Sequence, residues 1–242
     1  TGSSALELAN QTFESLTGRY MGYKLLPVSI QELRNTFGLM PVIESLPQRL
    51  IFGSYPEVIA YPENAKGVIS TLTQSYLYKD ILALTGLRKP QVLDDLLKAL
   101  SWQVGSQVSY NELSRTLGID VKTVDKYITI LEKNFILFTL PSFARNLRNE
   151  LLRSKKIYFY DNGIRNAVIN NFSPLPYRAD VGALWENYII SERIKWLINN
   201  NIQENTYFWR TTSQSEIDFI EETDGSITAY EFKYNPKGKA RF

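Results

Sequence analysis

The stretch VSYNELSRTLGIDVKTVDKYITILEK, residues 108–133, predicts two short helices joined by a tight turn. Ser109 can cap the first helix with Glu112 as its capping-box partner, and Gly118 supplies a left-handed stop. Asp120 can cap the second helix. This spacing is typical of a helix-turn-helix with its second helix in the recognition position. The second helix has one apolar stripe, formed by Val121, Val124, Tyr127, Ile128 and Leu131.

A basic segment follows the second helix. The run from Phe135 to Leu140 predicts a strand that begins a wing. From Pro141 to Arg165 there are six basic residues and two acidic ones, where a wing would meet phosphates. The six are Arg145, Arg148, Arg153, Lys155, Lys156 and Arg165. The alternative is a helical packing module that contacts no nucleic acid. The residues expected at DNA are Lys122, Thr123 and Lys126 on the solvent side of the second helix, with Arg145 and Arg148 of the wing.

Histidine and cysteine are absent from the 242 residues, and this limits the possible chemistry. Disulfides, thiolate nucleophiles, Ser-His-Asp catalysis and nearly all zinc hydrolase sites are excluded. Chemistry must use carboxylates, lysine, arginine and hydroxyls, for which magnesium is the natural metal. A hydrophobic fraction of 44% supports globular cores, and no apolar run reaches the roughly 18 residues of a membrane span. We expect a cytoplasmic protein without a membrane segment.

Two strand-like runs near the end of the chain carry the strongest chemical signal. Residues 215–220 and 227–233 alternate in polarity around the hairpin turn Asp224-Gly225. That turn places Asp218 directly across from Glu231, with Lys233 on the same face as Glu231. Opposed carboxylates repel unless a cation or a proton lies between them. We therefore expect Asp218 and Glu231 to hold magnesium, with Lys233 positioning a water or stabilising charge on a phosphate.

A further carboxylate, Glu186, lies on the long helix predicted from Val181 to Asn199 and needs a partner or an exposed position. The order of a helix Glu186, a strand Asp218 and a strand Glu231-x-Lys233 resembles the restriction-endonuclease-like nuclease superfamily. The resemblance implies that these four residues are catalytic. The alternatives are a solvated hairpin face, or a nuclease-like domain that has lost activity and serves as a scaffold.

Several separated stretches together are similar to prokaryotic AAA-type ATPases that end in a domain of unknown function. The resemblance implies an upstream ATPase core whose sensor strand ends at Thr1-Gly2-Ser3-Ser4, with Arg19 placed to read nucleotide or to contact a neighbour. Ser3 and Arg19 are the residues expected to sense nucleotide in the full-length parent. No Gly-x-x-x-x-Gly-Lys-Ser/Thr loop occurs in the sequence, so ATP is expected to bind only in a full-length parent. The stretches are Thr1-Gly2-Ser3-Ser4, Leu16-Thr17-Gly18-Arg19, Leu26-Pro27-Val28-Ser29, Gly53-Ser54-Tyr55-Pro56-Glu57-Val58, Tyr76-Leu77-Tyr78-Lys79-Asp80-Ile81 and Tyr158-Phe159-Tyr160-Asp161-Asn162-Gly163.

These patterns together predict a mixed α/β chain of three parts. Residues 1–60 are expected to be the end of an ATPase core, 61–165 a helical and winged-helix domain, and 166–242 a small, truncated restriction-endonuclease-like domain. The expected function is the DNA-engaging, regulatory portion of an ATP-binding protein. The alternatives are a divalent-metal-dependent nuclease and an inactive nuclease-like scaffold for protein interactions. The expected partners are DNA, the upstream ATPase module and, in a homo-oligomer, further copies of the chain.

Overall fold

The computed structural model describes residues 23–75, 90–143, 155–211 and 215–234. Over these ranges the chain is mixed α/β, as predicted, with ten α-helices and two three-stranded antiparallel sheets. The helices are α1 Ile30–Phe37, α2 Leu39–Glu44, α3 Leu46–Phe52, α4 Pro56–Ala60, α5 Ala65–Thr73, α6 Pro90–Trp102, α7 Tyr110–Leu117, α8 Val121–Lys133, α9 Asn162–Val168 and α10 Val181–Asn199. The strands are β1 Gln107–Val108, β2 Leu137–Pro141, β3 Lys155–Phe159, β4 Asn205–Arg210, β5 Glu216–Thr223 and β6 Ser226–Tyr230.

Helices α6 to α8 and strands β1 to β3 form a winged helix. The first sheet has the order β1-β3-β2. The predicted wing falls on the connection between β2 and β3, of which residues 144–154 lie outside the described residues. The Ser109 side chain accepts a hydrogen bond from the Glu112 N–H at 3.3 Å, and Asp120 accepts one from the Thr123 N–H at 2.9 Å. Gly118 ends α7 in the left-handed conformation, with φ 63°. The predicted helix-turn-helix is therefore confirmed.

The apolar stripe of α8 differs from its prediction at the first position. Val124, Ile128 and Leu131 are buried, as expected, whereas Val121 is 39% exposed. Val121 is the first residue of the helix and directly follows its cap, Asp120. Ile130, which was not placed in the stripe, is buried.

The main hydrophobic core joins the winged helix to the helices on either side of it in sequence. It extends from Val58 through Ile69, Leu96 and Leu131 to Ile164. Helix α9 contacts α3, α5 and α6. Helix α5 covers Ala65–Thr73, and residues 76–89, which follow it, lie outside the described residues.

A buried aspartate fixes the joint between α3 and α9. Asp161 is 3% exposed and accepts hydrogen bonds from the N–H groups of Ser54 at 2.7 Å, Gly163 at 2.8 Å and Ile164 at 3.3 Å. Gly53, with φ 77°, leaves no space for a side chain, because an added Cβ would lie 1.8 Å from Asp161 Oδ1. The backbone of residues 53 and 54 therefore packs directly against the side chain of Asp161.

The connection from Ser173 to Asp180 lies at the surface, except for the buried side chain of Arg178. Arg178 is 8% exposed because it donates to Asp180 at 2.8 Å and to Asn166 at 3.0 Å. Arg165 donates to the same Asp180 carboxylate. Burial opposes ionisation of Asp180, but the hydrogen bonds from Arg178 and Arg165 outweigh it and lower the pKa of Asp180 to about 2. The Arg165–Asp180 ion pair crosses the predicted boundary between residues 165 and 166.

The second sheet has the order β4-β5-β6 and packs against α10, whose predicted bounds are confirmed. Asp224 and Gly225 both have positive φ, 50° and 80°, as a two-residue hairpin turn requires. Strand β6 ends at Tyr230, three residues earlier than the predicted run. Among the helices of the described ranges, none combines the length and apolar character needed to cross a lipid bilayer.

We predict that Gly53→Ala strongly destabilises the fold. The new methyl group would displace an aspartate that three N–H groups hold in place, which should lower the free energy of unfolding by about 3–5 kcal/mol. Gly118→Ala is the matched control, because Gly118 also has positive φ but has nothing within 4 Å of an added Cβ. Its cost should be only about 1–2 kcal/mol. Equal midpoints for the two variants in urea denaturation would contradict this account.

Candidate functional site

The hairpin of β5 and β6 has the predicted register. Phe219 pairs with Tyr230 and Ile220 with Ala229, so Asp218 lies across from Glu231 just beyond the end of β6. Asp218 is 7% exposed, and its Oδ2 accepts a hydrogen bond from the Phe232 N–H at 2.7 Å. Asp218 therefore holds the segment that carries Glu231 beside strand β5.

The Glu231-x-Lys233 segment lies at the surface beside helix α10. Lys233 Nζ is 2.8 Å from Glu231 Oε1, with both side chains largely exposed. The ring of Tyr234 lies 5.7 Å from that of Trp185, the residue before Glu186. The hydrogen bond that Lys233 donates to Glu231 raises the pKa of Lys233, and the Asp218 and Glu186 carboxylates contribute to the shift. The four predicted catalytic residues are thus brought to one region.

Glu186 has partners that sequence reasoning missed. Its Oε1 accepts hydrogen bonds from Tyr158 OH at 2.6 Å and from Lys156 Nζ at 3.0 Å. Lys156 is 2% exposed and also pairs with Glu216 Oε1 at 2.5 Å. Lys156 and Tyr158 alternate along β3, so both side chains lie on the face that meets α10. The spacing of two residues between Lys156 and Tyr158 was the sequence signal that their side chains share one face of the strand.

Burial sets the electrostatics of this cluster. It raises the pKa of Glu186, and the neighbouring Asp218 carboxylate adds to the shift, although Lys156 and Tyr158 oppose it. Burial, with the Glu186 charge, raises the pKa of Tyr158 well above its ordinary value. A carboxyl group with a raised pKa beside a second carboxylate is an arrangement found at acid–base sites, and also in structural ion-pair networks.

Magnesium is the metal that this donor chemistry suggests, and the partners of each carboxylate test the fit. Within the four described ranges, no three carboxylates lie close enough together to hold a metal ion. Lys156 and Tyr158 both donate to Oε1 of Glu186, so that oxygen is already engaged within the protein. A magnesium ion that keeps most of its waters needs only one or two carboxylates, here Asp218 and Glu231. The fit requires Lys233 to move away from Glu231.

The predicted DNA-contacting surface is only partly available. Lys122 and Lys126 are exposed on α8, with Asp125 exposed between them. Thr123 is half-buried, and its hydroxyl donates to Asp120 Oδ2 at 2.7 Å, so it serves the helix cap. Arg145 and Arg148 of the wing lie outside the described residues, as do Ser3 and Arg19.

Two of the six basic residues assigned to the wing region are not available to phosphates. Lys156 is buried against Glu186 and Glu216, and Arg165 is 1% exposed and paired with Asp180. Both were counted in the local basic charge, but each faces a carboxylate from a later part of the chain, so neither adds to a phosphate-contacting surface. The base of the wing also joins the second sheet, since the Phe143 N–H donates to the Phe208 carbonyl at 2.7 Å.

We predict that Lys156→Met lowers the free energy of unfolding by about 2–4 kcal/mol, because it leaves partly buried carboxylates without their cation. Lys155→Met is the control, since Lys155 lies only over the Tyr110 ring at 5.9 Å and should contribute less than about 1 kcal/mol. Adding Glu216→Gln to Lys156→Met should recover part of the loss. Urea denaturation of the three variants measures this, and equal stability of the two single variants would refute it.

Comparison with known proteins places the chain among uncharacterised families. Residues 43–175 match a domain of unknown function (DUF8612), and residues 181–242 match another (DUF4143). An uncharacterized protein of Haemophilus influenzae is 26% identical over 179 residues, which are 70% of this chain and 45% of that protein. The uncharacterized proteins Rv2008c of Mycobacterium tuberculosis and Mb2031c of Mycobacterium bovis are each 25% identical over 236 residues, or 96% of this chain and 51% of theirs.

No solved structure matches the chain significantly. The chain spans about half the length of the curated relatives that it matches. Because the match to the first of the two domains covers more than half of the 242 residues, the chain belongs to the DUF8612 family.

Proposed function

We propose that this chain is the DNA-engaging, regulatory C-terminal portion of a longer ATP-binding protein, and that it does not hydrolyse ATP by itself. The observation that carries the proposal is the winged helix, whose second helix is packed through Val124, Ile128 and Leu131 and exposes lysines on its other side. A helix held in this way can enter the major groove without rearrangement of its own packing.

The charge on this surface is modest, and this defines the expected mode of binding. Lys122 and Lys126 are four residues apart and therefore share one face of α8. Asp125 lies beside them and offsets part of their charge. Affinity should therefore come mainly from phosphate contacts, and it should fall steeply as salt concentration rises.

The relation to ATP rests on length and on the AAA-type resemblance. The sequence lacks a phosphate-binding loop, so nothing in it can cradle a triphosphate. The curated relatives are about twice as long as their matched regions, which leaves room for a nucleotide-binding module. In the proposal, the nucleotide state of that module controls how the winged helix engages DNA.

We predict that the chain binds a labelled DNA duplex at low salt and that the double variant Lys122→Ala/Lys126→Ala binds about 3–10-fold more weakly. Loss of two phosphate contacts should also reduce the slope of log K against log salt by roughly 2. Lys98→Ala is the control, because Lys98 is an exposed lysine of α6 that pairs with Asp94. Fluorescence anisotropy from 50 to 200 mM salt, a range over which phosphate contacts weaken strongly, measures both effects. Absence of binding at 50 mM salt, or equal binding by all variants, would overturn the DNA role.

A second candidate function is divalent-metal-dependent DNA cleavage, favoured by the register that brings Asp218 opposite Glu231. Asp218 and Glu231 would hold magnesium, which would activate a water and neutralise phosphate charge. Lys233 would stabilise the charge that develops on the phosphate. An inactive nuclease-like scaffold is the competing possibility, and the neutralisation of Glu186 and Glu216 by Lys156 favours it.

For the nuclease candidate, supercoiled plasmid is incubated with the chain and magnesium or manganese. We predict that the native chain nicks the plasmid, whereas Asp218→Asn and Lys233→Ala do not. Asp218→Asn keeps an acceptor for the Phe232 N–H and removes only the charge, so its unfolding temperature should stay near that of the native chain. Equal nicking by all three proteins, or nicking by none, would rule out this activity and leave the scaffold.

A further inference from the structure

Helices α1 and α2 carry four exposed apolar side chains within seven residues of sequence. Phe37 is 56% exposed, Leu39 53%, Met40 63% and Ile43 52%. We call these four residues the α1–α2 patch. Leu39, Met40 and Ile43 occupy successive positions of one face of α2, and Phe37 ends α1 directly before them. Large apolar residues grouped in this way mark interaction sites, whereas isolated ones do not.

The segment that carries the α1–α2 patch is firmly attached to the rest of the fold. The Ile30 N–H donates to Glu192 Oε2 of helix α10 at 2.6 Å, and the Val28 N–H donates to the Ser54 carbonyl at 2.9 Å. Ser29 and Glu32 form a reciprocal capping box at the start of α1. The exposure of the patch is thus a property of an ordered platform and does not result from a frayed end.

The charges around the α1–α2 patch identify the kind of partner. Between residues 30 and 44 the sequence has one basic residue, Arg34, and two acidic ones, Glu32 and Glu44. A surface for DNA or for an anionic membrane would need an excess of lysine and arginine. An apolar centre with few charges is instead typical of the core of a protein–protein interface.

We infer that the α1–α2 patch is the docking surface for the upstream, nucleotide-binding half of the full-length protein. This inference rests on the proposed function. The match covers 51% of the length of each mycobacterial relative. The unmatched part of each relative is therefore about as long as the matched part. The first family match begins at residue 43, and three of the four patch residues precede it. The patch therefore lies where the chain enters this domain from its upstream side.

The position of the α1–α2 patch gives the docking a consequence for regulation. Its platform is bonded to Glu192 of α10, the helix that also carries Glu186. A change in how the upstream half binds the α1–α2 patch would act on α10, the helix that carries Glu186. Nucleotide binding upstream would in this way reach the candidate site through α10.

The test uses the longer natural protein with a photo-crosslinking amino acid in place of Met40. On irradiation we expect crosslinks, mapped by mass spectrometry, to peptides of the upstream half of the same chain. The control places the same amino acid at Tyr177, which is 83% exposed and lies outside the α1–α2 patch, in the connection between α9 and α10, and should give few such crosslinks. Crosslinks only between differently isotope-labelled copies would assign the patch to self-association, and equal yields from both positions would overturn any docking there.

A second measurement uses no photo-crosslinking amino acid, so its result does not depend on that substitution. Met40→Glu/Ile43→Glu should leave the unfolding temperature of the 242-residue chain unchanged, because both side chains are exposed in it. In the longer protein the same change should speed protease cleavage between the two halves by about tenfold, the ratio that corresponds to roughly 1.4 kcal/mol of docking energy. An unchanged cleavage rate would refute the inference. Nucleotide and DNA binding measured on the same samples test the proposed function separately.

Discussion

The hydrogen bonds that the Asp161 carboxylate accepts from the backbone of residues 54, 163 and 164 join two parts of the chain that are distant in sequence. Burial raises the pKa of this carboxyl group, while Lys195 and the three N–H groups favour its charged form. Asn162 donates to the carbonyls of Leu50 and Leu184, so the same turn also holds helices α3 and α10. The winged helix, the helices before it and the long helix after it are therefore oriented by one turn of a few residues.

Ion pairs of Lys156 connect the first sheet to the second sheet and to helix α10. Lys156 belongs to the winged-helix sheet, but its ion pairs are to Glu186 of α10 and Glu216 of β5. A buried pair of this kind contributes little net stability against an apolar replacement, although it is costly to break on one side. The winged helix and the hairpin consequently share an electrostatic environment. A change in the position of the wing, whose base is bonded to β4 through Phe143, would alter the surroundings of Asp218.

The sequence predicts interactions between residues that are close in sequence, such as helix caps and the hairpin register. It does not predict ion pairs between residues that are distant in sequence. The caps at Ser109 and Asp120 depend on bonds within three residues, and the register of Asp218 depends on a two-residue turn, so both predictions are confirmed. The burial of Lys156 and Arg165 depends on carboxylates that lie 30 and 15 residues further along. The alternation of Lys156 with Tyr158 along the strand-like run KIYFY is the one local sign that this lysine lies inside, and nothing near Arg165 in the sequence marks it as buried. The candidate site was thus found through its hairpin, whereas its internal cation was missed.

The bond from the Ser54 N–H to Asp161 spans 107 residues, and this separation has a kinetic consequence. Closing a loop of that length costs conformational entropy before the contacts that stabilise it can form. During synthesis, α3 and α4 remain without their partner until the sequence YDNG at residues 160–163 has left the ribosome. The apolar side chains around Val58 and Ile69 are unprotected in that interval, since they pack into a core that is completed by Ile164. The turn that orders the native fold also sets the earliest moment at which folding can finish.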